Sequence, residues 1–132
     1  MTKKRETGLQ QRIRRALERA IGGFWFKVHG GPFQRAGIGD LLGCVCGLYI
    51  NLEVKVESDD DLSQIQIETG AIIQAEGGIW GCVTSPAEAV SFVEAALQTA
   101  GRLSEARRRL RPERKNGGAI IRAGDRKDMD MR

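Results

Sequence analysis

The 132-residue sequence has no long apolar run, three cysteines and one histidine. No stretch approaches the roughly 18 consecutive apolar residues of a membrane span, which argues against an integral membrane protein. The opening residues Met1 to Glu6 are charged and lead into an amphipathic segment, so no signal peptide and a cytoplasmic location are expected. Three cysteines are an odd number, which argues against a disulfide framework and for a reducing compartment. Cys44-Val45-Cys46 lacks the spacer of structural zinc pairs, and no second tight pair joins Cys82 and His29. These cysteines are expected to be small buried apolar residues. The glycines are scattered without a phosphate-loop pattern, so no nucleotide cofactor is expected. There is no internal repeat.

The chain does contain enough to fold. At 14.5 kDa it suits one domain, and 41% hydrophobic with 29% charged residues fits a globular chain rather than a disordered one. Its net charge of +4 is unevenly spread. Residues 1–20 carry net +5, residues 21–101 net −7, and residues 102–132 net +6. An acidic centre between basic ends suggests gathered carboxylates with cationic arms able to meet phosphate. An acidic solvated domain with basic tails fits the same numbers.

Leu9, Ile13, Ala16, Leu17, Ala20 and Ile21 recur at helical spacing, which predicts a helix over about 7–21, ended by Gly22-Gly23. Phe24 to His29 reads as a strand, broken by Gly30-Gly31-Pro32. Residues 38–46 read as a second strand, with Gly43 as a bulge or a close approach. Residues 48–57 alternate strictly and predict a third. Ser63-x-x-Gln66 is a capping-box pattern opening a helix to about Glu76. Ile79 to Thr84 is a short apolar strand, with Trp80, like Trp25, expected in the core. Ser85-Pro86-x-Glu88 opens a helix ended by Gly101. The order is α-β-β-β-α-β-α, a mixed α/β domain over 1–101. A basic extension, 102–132, is expected to add a helical turn or two over 102–111 and to be partly disordered.

Glu53 and Lys55, two apart on a strand, share one face. A tight turn at Cys46-Gly47 would place Val45 opposite Leu48 and hence Asp40 opposite Glu53. Two carboxylates about 5 Å apart at an effective dielectric near 20 repel by roughly 3 kcal/mol. A divalent cation would offset this, since Mg²⁺ favours one or two carboxylates plus waters. Lys55 could then steady a water or stabilise charge on a phosphate. An odd loop without a bulge would turn Asp40 to the other face. Glu53-Val54-Lys55 also fits an ordinary exposed strand face with an ion pair.

Gly39-Asp40, twelve residues, then Glu53-Val54-Lys55 resembles the PD-(D/E)XK nuclease signature. The wider pattern resembles the virus-type replication-repair nuclease (VRR-NUC) branch of that superfamily. It comprises Glu6-x-x-Leu9-Gln10, Gly37-x-x-Asp40, the Glu53-x-Lys55 triplet, Leu62-Ser63-x-x-Gln66, and Gly77-Gly78 before a short strand and Thr84-Ser85-Pro86. Gly39 departs from the proline usual there. The resemblance covers about 6–97.

It implies a restriction-endonuclease-like αβββαβ core, with a mixed sheet flanked by helices. It further implies a metal-dependent phosphodiesterase acting on DNA. Asp40, Glu53 and the Val54 carbonyl would hold Mg²⁺ or Mn²⁺, and Glu6 would be either a further ligand or a helix-start carboxylate favoured by the dipole. Lys55 would orient the attacking water and Gln66 would help position the site. Stand-alone members resemble viral enzymes that dimerise and resolve four-way DNA junctions, which implies a homodimer, branched DNA and the host cytoplasm if this chain is viral. Nicking, flap cutting, or non-catalytic DNA binding on the same fold are the alternatives. Arg12, Arg15 and Arg19 on the first helix, His29, Gln34 and Arg35 near the Asp40 strand, and Arg107 and Arg108 in the basic extension are candidate DNA contacts. For His29 a structural or loop role is the favoured reading over a phosphate contact. Asp59 to Asp61 reads as a solvated turn.

Overall fold

A two-residue turn organises the sheet. Cys46 (φ 50°) and Gly47 (φ 82°) both adopt positive φ, as a type I′ hairpin requires. Glycine meets that need without steric cost, whereas Cys46 accepts some strain. The turn joins strands that pair Val45 with Leu48 and, in unbroken register, Leu41 with Leu52. The even loop therefore sends Asp40 and Glu53 towards one another.

The structure, a computed structural model, describes residues 3–30, 35–57 and 61–110. Gln34, the Gly31-Pro32 break, Asp59, Asp60 and residues 111–132 lie outside the described residues. The elements are α1 (Lys3–Ala20), β1 (Phe24–Lys27), β2 (Leu41–Val45), β3 (Leu48–Val54), α2 (Gln64–Ala75), β4 (Ile79–Val83), α3 (Pro86–Thr99) and α4 (Leu103–Arg109). The sheet order is β1-β2-β3-β4. The first two pairings are antiparallel, and β3 pairs with β4 in parallel through the α2 crossover. This is the α/β architecture with a mixed sheet between helices. Among the described residues no helix is long and apolar enough to cross a membrane.

Leu9, Ile13, Leu17 and Ile21 bury one stripe of α1, and Ala89, Val93 and Leu97 do so for α3. Both stripes cover the sheet face formed by Leu41, Val45, Ile50, Leu52, Val54 and Val83. The opposite face is only partly covered. There α2 packs on β4, with Trp80 against Gly70. Serine caps start both α2 and α3: Ser63 accepts from the Gln66 N–H and Ser85 from the Glu88 N–H.

Several expectations need correction. Strand β2 starts at Leu41 rather than at residue 38, because the Gly39 N–H is bonded to a side chain instead of a strand ladder. Of the two readings of Gly43 the close approach holds and the bulge does not: pairing runs through it, and the Trp25 ring fills the space of a Cβ. The cysteines are not buried. Cys44 is exposed, while Cys46 and Cys82 are partly so. Val45 turns inward, so Cys44 points to the incompletely covered face, and Cys46 lies in the turn. Trp25 is buried, but Trp80 is only half-buried. The core also continues past residue 101, since Ala106 of α4 is 3% exposed and joins it.

Candidate metal centre

Asp40 sits one residue before β2 and is fixed from three sides. Its N–H donates to the Leu52 carbonyl (2.8 Å), and its own carbonyl accepts from the Val28 N–H (2.9 Å). Its Oδ2 accepts from the Val54 N–H at 2.7 Å. This carboxylate is thus aimed across β3, where the continued register sets it opposite Glu53.

The segment before Asp40 is held by a buried amide. Asn51, with no exposed surface, accepts from the Gly39 N–H through Oδ1 (2.9 Å) and donates through Nδ2 to the Tyr49 hydroxyl (3.0 Å). A Cβ at Gly39 would collide with Asn51 Oδ1 and lie 2.6 Å from the Leu52 carbonyl oxygen. Backbone cannot yield as a flexible side chain would. Gly39→Ala is therefore expected to destabilise the fold by about 2 kcal/mol, read as a lower urea midpoint at unchanged m-value. An unchanged midpoint would refute the close approach.

Glu53 is 4% exposed, and its Oε2 is buried without a hydrogen-bond partner among the described residues. Its carboxyl is pushed up from 4.5 to about 8. Burial is the largest cause, followed by the charge of Asp40 and a hydrogen bond with it; Lys55 opposes the shift and Glu6 adds to it. Lys55 is half-buried just past β3, its N–H donating to the Val83 carbonyl at 3.0 Å. Cys82, paired with Glu53 across β3 and β4, forms a wall of the site, and burial pushes its thiol up.

The structure thus brings Asp40, Glu53, Val54 and Lys55 together, with half-buried Glu6 in electrostatic reach from α1. Gln10 donates weakly to Glu6 at 3.5 Å. Gln66 is differently engaged: its Oε1 accepts from the Ser63 N–H at 2.8 Å, completing the capping box. Arg12, Arg15, Arg19, His29 and Arg35 are exposed. Arg107 and Arg108 are exposed on α4, whose neighbour Arg109 lies near Cys44 and Cys46. That is the far end of β2 from Asp40, roughly 17 Å away along the strand.

Two facing carboxylates, one with an unpartnered buried oxygen, fit a hard divalent cation. Among the described residues no three His, Cys, Asp or Glu side chains are grouped to hold a metal. Backbone, water or substrate oxygens would complete the shell. The sequence reading missed Asn51 and Cys82 as site neighbours. The one signal for Asn51 was an uncharged amide alternating with Tyr49 and Glu53.

No family model matches the chain, and no curated protein matches it. Among solved structures, one described as a VRR_NUC domain is similar, with a TM-score of 0.56 at 23% identity. The likeness covers 67% of this chain and 94% of that one. With its mixed sheet and the crossover helix between β3 and β4, the chain has the VRR-NUC fold.

Proposed function

We propose that this chain is a Mg²⁺- or Mn²⁺-dependent endodeoxyribonuclease. The observation that carries the reading is the buried Glu53 carboxyl, set opposite Asp40 with one oxygen unpartnered. The fold it shares with a VRR_NUC domain supports it. Asp40, Glu53 and the Val54 carbonyl would hold the ion, with Glu6 adding its negative charge from α1 rather than a ligand atom. When bound, the ion acidifies a coordinated water and offsets phosphate charge. The Val54 N–H fixes Asp40 through Oδ2, which leaves Oδ1 to ligate. Lys55 orients the attacking water and faces the charge that develops on the phosphate. Gln66 contributes through the capped start of α2.

The preferred substrate in this reading is a four-way DNA junction cut by a homodimer. One site per chain makes one incision, so paired cuts need a second copy. Residues 1–101 carry the chemistry, while 102–132 are a basic extension that grips DNA. Arg12, Arg15 and Arg19, with His29, Gln34 and Arg35 nearer the site, and Arg107 and Arg108 at the far end, meet phosphates regardless of sequence.

The test offers labelled junction, flap, single-strand and duplex DNA to the full chain with Mn²⁺ or Mg²⁺. Symmetric paired cuts in the junction by a dimer are expected. Cleavage of none refutes the nuclease, and cleavage of flap or duplex alone refutes only the junction preference.

A further inference from the structure

Beside the carboxylates, α1 and the free edge of β1 enclose a groove of about 440 Å³. Thr7, Gln10, Gln11 and Arg14 form its helical wall, and Lys27 and His29 lie opposite. A second cavity of about 440 Å³ shares Thr7, Gln10, Lys27 and His29, and continues to Glu6. The two adjoin along these four residues as one groove. Its inner end adjoins the site, because Val28, next to Lys27, donates its N–H to the Asp40 carbonyl.

The lining has a specific chemistry. Gln10 is 5% exposed, and its Oε1 has no hydrogen-bond partner among the described residues. A buried acceptor left unpaired is costly, so it favours a ligand that brings an N–H. A phosphodiester offers acceptors only. The Watson–Crick edge of a nucleobase offers amino and imino N–H groups, and base pairing occupies that edge in a duplex, leaving only the amino hydrogens that face the grooves. Thr7 and Gln11 add groups that both donate and accept. Lys27 has no carboxylate ion-pair partner among the described residues. Arg14 is paired at 3.2 Å with Glu18 on the exposed surface, an exchangeable contact worth little. Both cations suit phosphates that accompany the base.

We propose that the α1–β1 groove is a subsite for an unpaired nucleotide flanking the scissile phosphate. Gln10 and Gln11 read the base edge, and Lys27 and Arg14 hold the adjoining phosphates. This rests on the nuclease reading and deepens it: beside the cut the enzyme takes a nucleotide that is unpaired, as in a flap, or that is freed where pairs open at the crossover of a junction. The groove is distinct from the face that presents Arg12, Arg15 and Arg19, which grips backbone without regard to pairing.

The test measures binding by the full chain carrying Asp40→Asn, so that hydrolysis plays no part. The probes are a blunt duplex, the same duplex with a four-nucleotide overhang, and that overhang made abasic. The overhang is expected to bind roughly tenfold tighter than the blunt end, and the abasic overhang to lose most of that gain. Adding Gln11→Ala or Lys27→Gln should remove the gain and leave blunt-duplex binding unchanged. Arg12→Ala should weaken all three probes alike. Gln11 is exposed, so its substitution spares the core if Lys27→Gln fails to fold. Equal affinity for intact and abasic overhangs, or equal losses on overhang and blunt DNA, would overturn the subsite. Wild-type protein that binds as described yet cuts nothing would refute the nuclease reading while leaving the groove intact.

Discussion

Asp40→Asn and Lys55→Ala should each lower metal-dependent DNA cleavage by about 10³-fold or more at saturating substrate. The two losses have different origins. Asp40 is held by the Val54 N–H and by backbone bonds to Leu52 and Val28, so Asn can keep the shape while losing the charge that attracts a cation. Its variant should lose both metal affinity and turnover. Lys55 is not a ligand in this account. Its variant should bind the ion normally and fail in the chemical step, so kcat falls while metal affinity stays within a few-fold. Cleavage at wild-type rate by either variant would remove that residue from the mechanism.

The second large effect concerns Glu53 and pH. The unfolded chain releases this proton near the ordinary value of 4.5, while the folded chain retains it to about 8. Between these limits the folded state binds more protons, so its stability falls as pH rises, by at most about 1.4 kcal/mol per pH unit. The contribution is full below 4.5 and gone above 8. Glu53→Gln removes the dependence. The metal-free variant should therefore gain stability over wild type as pH rises from 5 to 8, seen as diverging urea midpoints. A midpoint difference that stays constant with pH would mean that Glu53 ionises normally.

The turn and register were legible because Cys46-Gly47 is an even loop between two apolar runs, and parity alone then sets Asp40 opposite Glu53. The capping box at Ser63 was legible for a similar reason, since its partners are three residues apart. Burial on the second sheet face was not. Tyr49, Asn51 and Glu53 alternate with apolar residues as an exposed face would, yet Asn51 and Glu53 are enclosed. The cover comes from distant chain: Gly37 packs under Thr69 and Ile65 of α2, and Gly39 closes over Asn51. Nothing local to β3 encodes that. Cys44 shows the converse, a small residue on a strand that the cover does not reach.

The C-terminal extension shows the same limit of local reading. Four arginines among residues 107–111 suggest a solvated arm, but Ala106 on the same helix enters the core. Truncation after Gly101 would therefore remove packing together with charge. Removal of 111–132 is the cleaner probe of a phosphate grip, because it leaves α4 in place.

The central claim is that Asp40 and Glu53 form a divalent-cation site. Calorimetric titration of Mn²⁺ into the full chain at pH 7 tests it most directly. Wild type should bind Mn²⁺ and release protons as the ion replaces the proton on Glu53, with Glu53→Gln binding far more weakly and releasing none. Equal Mn²⁺ affinity in wild type and Glu53→Gln, or no binding by wild type, would contradict the account.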